Sequence, residues 1–290
     1  MSPIAPVTVI VPAFNAAPYL QVTLRSLQQQ TVRPEAVVVI DDGSTDDSAA
    51  IAAREGATVV RQAHKGPAAA RNRGLELATT EFVAFLDADD WYGPDKLERS
   101  LTSLDELQAH CIATESWSVR GDCIEGRRNQ RRVVPGVVTL ELLLRGNPVV
   151  TSSVVARRKA VLDVGRFDED PELIASEDYD LWLRLAQKEP IAYLTQPLTF
   201  CRTHTASMTE KTLFLRGVDR ILERVAHQYE GEAHFQNLVR RRRADVRLDL
   251  ASDLLADGCH ADARQLIDEA AGLARTWRGV KLRMRTLLHR

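Results

Sequence analysis

Phe82-Val83-Ala84-Phe85-Leu86-Asp87-Ala88-Asp89-Asp90-Trp91-Tyr92 is the stretch that decides the fold. It begins as an unbroken apolar run, the pattern of a strand covered on both faces in a parallel sheet. It ends in three carboxylates within four residues, and charge at the end of a buried strand is costly unless something compensates it. A divalent cation is the first candidate, because hard cations prefer carboxylate oxygen. Within a strand Asp87 and Asp89 share a face, so one ion could recruit both. A single Asp at this place reads as a turn former; the group Asp87-x-Asp89-Asp90 favours metal.

The segments before it alternate between strand and helix. Val7 to Pro12 is a β-branched run, and Pro12 is expected to end it. Tyr19, Leu20, Leu24 and Leu27 recur at helical spacing. Ala36 to Ile40 forms a second strand that runs into Asp41-Asp42-Gly43-Ser44-Thr45-Asp46-Asp47. Ser44-x-x-Asp47 resembles a capping box for a helix over 48–54. Thr58 to Arg61 is a third strand, and Gly66-Pro67 leads into the helix-forming run from Ala68 to Ala78. Such alternation predicts an α/β fold with a mostly parallel sheet flanked by helices. Right-handed crossovers bring the C-terminal strand ends to one edge, where open sheets bind ligands. Pro12 to Asn15, Asp41-Asp42 and Asp87 to Asp90 should therefore converge.

Composition narrows the class. The chain has 290 residues, 44% hydrophobic, with a formal net charge of −2, which gives no reason to expect a nucleic-acid partner. Cys111, Cys123, Cys201 and Cys259 lie far apart without a C-x-x-C pair, so neither a zinc site nor a disulfide framework is expected. A cytoplasmic setting fits. The first residues lack the pattern of a signal peptide, and no apolar run approaches the ~20 residues of a membrane span. Neither G-x-G-x-x-G nor G-x-x-x-x-G-K-[ST] follows the first strand, which disfavours dinucleotide and P-loop enzymes.

Seven motifs occur in order: Val9 to Asn15, Asp41 to Asp46, Ala70-Arg71-Asn72-x-Gly74, Phe85 to Asp90, Val164 to Asp168, Ser176 to Arg184, and Cys201-Arg202-x-His204. Together they resemble the motif set of the family 2 glycosyltransferases, which have the GT-A fold, over roughly residues 7 to 208. The resemblance implies an inverting, metal-dependent transfer of a sugar from a nucleotide diphosphate, a UDP- or dTDP-sugar, to an acceptor hydroxyl of a saccharide, lipid-linked or protein acceptor. Bacterial surface polysaccharide or glycoconjugate synthesis is the implied setting. Pro12, Ala13, Phe14 and Asn15 would border the nucleotide, Asp42 would accept from the base, and Arg71 would lie near base or diphosphate. Asp87 and Ala88 complete the donor set. Asp89 would hold Mn2+ or Mg2+, with Asp87 near the metal shell and His204 as a diphosphate or metal contact; Ser207 would share its loop.

Glu177-Asp178 open a helix carrying Leu181, Trp182 and Leu185 inward. Carboxylates there are favoured by the helix dipole in any case. The resemblance makes Asp178, or else Glu177, the general base. Cys111 to Thr114 and Ser153 to Ala156 read as strands, Leu140 to Leu144 as a short helix, and the basic stretch 120–132 as a loop or hairpin. Residues 1–208 form the expected catalytic domain and 209–290 a helical extension. Its tail from Arg275 is basic and apolar without acid to Arg285, a pattern of a solvated helix or of peripheral contact with an anionic membrane at its inner face. A nucleotidyltransferase would share the sheet and the acid site, but should show a Gly-rich basic loop after the first strand. A silent nucleotide-sugar binding module should lack Asp89 or Asp178.

Overall fold

The computed structural model describes residues 3–130, 134–204 and 208–287; Ser207, 131–133 of the basic stretch and the last three tail residues lie outside the described residues. What is described divides into two compact units, one within 1–140, 147–169 and 177–205, the other within 141–146, 170–176 and 206–290. The helical unit thus draws two short segments from the body of the chain as well as its C-terminal part.

In chain order the elements are β1 (Ile4–Ala13), α1 (Ala17–Gln28), β2 (Arg33–Asp41), α2 (Ser48–Arg54), β3 (Thr58–Arg61), α3 (Pro67–Leu77), β4 (Phe82–Phe85), β5 (Trp91–Tyr92), α4 (Lys96–Glu106), β6 (Cys111–Arg120), β7 (Cys123–Arg127), β8 (Val137–Val138), α5 (Leu140–Arg145), β9 (Val155–Arg157), α6 (Arg158–Asp163), α7 (Glu177–Lys188) and β10 (Ile191–Arg202). Helices α8 (Met208–Gln228), α9 (Ala233–Ala256), α10 (His260–Leu273) and α11 (Trp277–Leu287) follow.

Among the described residues the strands form one sheet in the order β3-β2-β1-β4-β9-β6-β10-β5, with β7 on β6 and β8 on β10. The longest ladders, β1 with β2 and β6 with β10, are parallel, as are β2 with β3 and β1 with β4. The rest are antiparallel: β9 runs against both β4 and β6, and β5, β7 and β8 against their neighbours. The sheet is therefore mostly parallel in its long ladders, as expected, with antiparallel strands mixed in between β4 and β6 and at the periphery. A parallel pairing needs a long crossover; after β4, among the described residues, only β6 and β10 form one, across α5, α6 and α7.

β1 sits at the centre of the parallel half. Val7, Val9, Ile10 and Val11 are wholly buried, and Ile10 pairs with Val38 on one side and Phe85 on the other. One face of the sheet packs Val9, Val11 and Ala84 against Leu20, Leu24 and Leu27 of α1 and Leu97 and Leu104 of α4. On the other, Val38, Ile40 and Ala70 of α3 cluster. Strand β1 does not stop at Pro12 but continues to Ala13, with Pro12 paired to Ile40. Ile10 bonds toward the β4 side through its carbonyl to Leu86 N, so the amide position of Pro12 faces past the end of β4 and no ladder bond is lost.

Two local expectations are replaced. Asp47 caps α2 without a side-chain bond, while Asp46 accepts from both the amide and hydroxyl of Ser48; Ser44 serves another loop, accepting from Asn15 N at 3.0 Å. The strand of the opening stretch ends at Phe85, and Asp90 N bonds to Asp87 O at 3.1 Å. The three acids therefore lie in a turn, where Asp87 and Asp89 find different partners. Within the described part of the basic stretch, 120–127 belong to the β6–β7 hairpin. In the helical unit, Ala244, Leu248, Ala251 and Leu254 of α9 pack with Ala263, Ile267 and Ala270 of α10 and Leu282 of α11. Asp219 of α8 receives Arg243 and Arg247 of α9.

Gly74 marks the closest approach of α3 to the sheet. A Cβ added there would lie 2.3 Å from Ile10 Cγ2. Glycine inside a helix normally costs about 1 kcal/mol relative to alanine, yet here overpacking dominates. Gly74→Ala is expected to lower stability by about 1–3 kcal/mol, measured by urea denaturation; a gain in stability would contradict the packing.

Candidate active site

The loops after β1 and β2 are tied to each other first. Asn15 adopts a left-handed φ of 49°, which Asn tolerates better than most residues. Its Oδ1 accepts from Thr45 N at 2.9 Å while its own amide donates to Ser44 Oγ. Asp42 is buried at this junction. Its carboxylate accepts from Gln62 Nε2, Lys65 N and Gly66 N at 2.8–2.9 Å, and His64 Nδ1 lies 2.9 Å from Oδ2. Asp42 thus holds the 62–66 loop, and Gly66, at φ 89°, turns that loop into α3. The ring of His64 stacks on Phe14 with centroids 4.2 Å apart.

The acid turn is organised by three different partners. Asp87 accepts from Arg71 Nη2 at 2.7 Å, and its amide donates to Ser152 Oγ at 3.0 Å. Arg71 is only 5% exposed, and its Nη1 donates to Glu177 Oε1 at 2.7 Å. Burial works against this guanidinium's charge, but Asp87 and Glu177 outweigh it and hold its pKa above the ordinary value. Arg71 Nε and Glu177 Oε2 are buried with no partner among the described residues. Asp90 is buried, 2.6 Å from Ser152 Oγ, and accepts from Arg202 N at 2.9 Å. Burial, with the charges of Asp87 and Asp89, pushes its carboxyl up to about 8. Asp90 therefore serves the turn's structure, its ionisation disfavoured by burial. Asp89 Oδ2 lies 2.7 Å from His204 Nε2. Arg202 donates to the Asp89 carbonyl, its guanidinium held 4.9 Å from the Tyr19 ring and 5.0 Å from Trp91.

Glu177 and Asp178 stand in the first turn of α7, favoured there by the dipole. Asp178 Oδ2 accepts from the Thr151 hydroxyl at 2.8 Å, and Oδ1 from Tyr179 N at 2.6 Å. Burial and the neighbouring Glu177 charge push its carboxyl up to about 6, against the opposing effects of Thr151 and Arg71. Glu177 is committed to Arg71; Asp178 has no ion-pair partner among the described residues.

A cavity of about 400 Å³ opens at this sheet edge. Pro12, Ala13, Phe14, Asn15, Asp42, Arg71, Asp87, Ala88 and Asp89 all line it. Glu177 reaches it through Arg71, and His204 through Asp89; Asp178 stands beside Glu177 outside the lining. Tyr19, His64 and Pro67 also line the cavity but were not singled out by sequence. For His64 the only hint was its place just before Gly66-Pro67. Among the described residues no three His, Cys, Asp or Glu side chains form a metal cluster; Asp89 and His204 are the paired donors.

An α/β sheet of this order, with an acid turn at the end of β4 and a helical C-terminal region, is a GT-A-like fold. Residues 8–166, more than half of the chain, match the family model described as Glycosyl transferase family 2, and the chain belongs to that family. It is a glycosyltransferase. An uncharacterized glycosyltransferase of Haemophilus influenzae is 31% identical over 211 residues, spanning 70% of this chain and 81% of the relative. The amylovoran biosynthesis glycosyltransferase AmsB of Erwinia amylovora is 28% identical over 229 residues, 71% of this chain and 75% of that protein. Among solved structures, residues 1–349 of S. aureus TarS align with a TM-score of 0.66 at 21% identity over 92% of this chain and 83% of that one. The same segment in complex with UDP-GlcNAc aligns at 0.63 and 20% identity, over 84% and 80%. At such identities the likeness to TarS is one of fold. This chain covers 48% of a longer TarS chain. Family membership sets aside the nucleotidyltransferase reading.

Arg71 is the point where removal is most costly. Arg71→Leu leaves the Asp87 and Glu177 carboxylates facing each other without a cation. It is expected to destabilise the protein by about 3–5 kcal/mol, read by chemical denaturation at neutral pH; a loss below 1 kcal/mol would mean that the bridge is not a buried, coupled unit.

Proposed function

We propose that the chain moves a sugar, with inversion, from a nucleotide diphosphate donor in the 400 Å³ cavity to an acceptor hydroxyl delivered to Asp178. The observation that carries this is the chain of ion pairs Asp87–Arg71–Glu177, which joins the donor cavity to the helix bearing Asp178. Residues 1–208 are the catalytic domain in this reading, and 209–290 the helical extension. Pro12 to Asn15 border the nucleotide, and Asp42 meets the base, whose imide N–H would take the place of the Gln62 side chain. Asp87 keeps Oδ2 toward ribose or metal. TarS structures in complex with UDP-GlcNAc and with UDP support a uridine donor, with thymidine the related choice. The name of AmsB supports a place in polysaccharide synthesis.

Asp89 and His204 are the residues that would hold a divalent cation, with diphosphate and water completing its shell. A carboxylate beside an imidazole suits Mn2+ better than Mg2+, which takes oxygen ligands. Such an ion supplies charge neutralisation on the departing diphosphate. The rest falls to the chain's own residues. Asp178 accepts the proton of the acceptor hydroxyl as its oxygen bonds to the anomeric carbon. The bond from that carbon to the phosphate oxygen breaks, and its electron pair leaves with the diphosphate. Inversion follows from one in-line displacement, with no covalent sugar on the protein. Between the two acids, Asp178 is the base, because Glu177 is held by Arg71 and the Asp178 carboxyl, at about 6, is matched to proton transfer near neutral pH.

The test is binding and turnover measured together. Wild type should bind UDP or dTDP more tightly with Mn2+ than after chelation, and Asp89→Ala should lose that difference. Asp178→Asn should bind donor normally while transfer falls by about two to four orders of magnitude. Because the base must be ionised, kcat/KM of wild type should rise with pH through about 6, and Asp178→Asn should lose that limb. Full transfer in both variants would overturn the reading.

A second contact concerns α11. Among the described residues no helix is long and apolar enough to cross a membrane. On α11, however, Trp277, Val280 and Met284 are exposed at helical spacing, Trp277 by 80%, beside Arg278, Lys281 and Arg283, while Leu282 faces the core. This face suits shallow contact with an anionic bilayer at its cytoplasmic side. Trp277→Ala with Met284→Ala should reduce co-sedimentation with phosphatidylglycerol vesicles and leave transfer to a soluble acceptor unchanged. Equal sedimentation of variant and wild type would remove α11 from the contact.

A further inference from the structure

Between α5 and β9 the chain makes one 3-10 turn, Thr151–Ser153, and all three side chains are buried. Each does something different. The Thr151 hydroxyl donates to Asp178 Oδ2 at 2.8 Å. The Ser152 hydroxyl bonds Asp90 Oδ2 at 2.6 Å and accepts from the Asp87 amide at 3.0 Å. Ser153 closes the turn, donating to Val150 O at 2.7 Å. Its carbonyl accepts at 2.7 Å from Lys96 Nζ, a fully buried ammonium whose other hydrogen-bond partner is Ser100 Oγ. Burial lowers the pKa of Lys96 to about 7. A buried lysine aimed at one turn is a costly anchor, and it fixes a turn that no ligand-lining residue belongs to.

We propose that Thr151 is a positioning residue for transfer, fixing the Asp178 carboxylate relative to the acid turn because both hang from the same three-residue turn. The proposal rests on the reading of Asp178 as the base. Two physical consequences follow. With Oδ2 held by Thr151 and Oδ1 by the Tyr179 amide, the carboxylate plane is fixed and its remaining lone pairs keep a constant direction, which favours the reactive geometry. A hydrogen bond donated to the charged form also stabilises that form. The other groups acting on Asp178 are Glu177 on its own helix, which raises its pKa, Arg71 from α3, which lowers it, and the Tyr179 amide, which lowers it. Removing the Thr151 donor therefore leaves Glu177 less opposed, and the carboxylate ionises at higher pH.

The experiment compares kcat/KM against pH for wild type, Thr151→Val and Thr151→Ser, with Asp178→Asn alongside. Thr151→Val should move the acid limb upward by about one unit, lower kcat about tenfold below that limb, and leave donor KM within twofold. Thr151→Ser, which keeps the hydroxyl, should restore the wild-type limb. Should the valine variant fail to fold, Thr151→Ala removes the same hydroxyl without the added methyl and is read identically. An unmoved limb in a folded variant lacking the hydroxyl overturns the proposal, as does a shift that serine fails to restore. Loss of the limb in Asp178→Asn together with an unmoved limb in Thr151→Val would leave the base assignment standing and the Thr151 assignment overturned. Survival of the limb in Asp178→Asn would instead overturn the base assignment, and the Thr151 proposal with it.

Discussion

A single buried guanidinium carries the site. Arg71 stands on the helix that crosses back from β3 and holds Asp87 from the end of β4 with one nitrogen and Glu177 from the start of α7 with another. The planar fork of arginine permits two such bonds at a fixed angle; a lysine ammonium would not reproduce it. Phe167 lies under it, its ring 5.4 Å away, and in turn packs edge-on against Phe85. Sheet, crossover helix and α7 thereby meet at one charge. Two carboxylates around one cation leave a net negative charge in a poorly solvated place. The Asp178 and Asp90 carboxyls nearby respond as expected, with ionisation pushed upward.

Much of this was legible in the sequence. The β-branched and apolar runs give β1 to β4: β4 and the inner part of β1 and β2 are buried, and β3 shows as the β-branched pair Val59-Val60 although none of its residues is buried. The acid cluster, Arg71 and the Glu177-Asp178 pair stood out by chemistry and by resemblance, and the fold brings them to one edge. What was not legible is short or relational. Strands β5 and β8 have two residues each, too few to carry a periodic pattern; β9 was legible as a strand over Ser153 to Ala156, but its antiparallel pairing with β4 and β6 was not. Ser44 looked like a helix cap because its spacing to Asp47 is right, but a hydroxyl goes to the nearest unsatisfied amide, and that belongs to Asn15. Thr151-Ser152-Ser153 is unremarkable as sequence. Its meaning comes from three partners up to 65 residues away.

The acid turn shows how neighbouring identical residues acquire different work. Asp87, Asp89 and Asp90 share a side chain and nearly an address. Asp87 meets a guanidinium, Asp89 meets the His204 imidazole, and Asp90 is sealed among Ser152 and the Arg202 amide. Burial, with the charges of Asp87 and Asp89, disfavours ionisation of Asp90, the most buried of the three. Leaving the strand before Asp87 is what permits this sorting, since a continued strand would have sent Asp87 and Asp89 to the same face.

The saturated carboxylate of Asp42 has a consequence for selectivity. Buried polar groups discriminate strongly when the wrong ligand leaves them unpaired. Asp42 already receives two backbone amides and the Gln62 side chain, with His64 alongside, all from one loop. In the proposed reading, a visiting base that donates to it would exchange one hydrogen bond for another, and a base that cannot donate would leave Gln62 where it is. The penalty for a mismatch at this residue is therefore small. Under the role proposed for Asp42, the base would contribute little to exclusion and the rest of the ligand would carry it, which would make the chain a permissive starting point for acquiring a different donor.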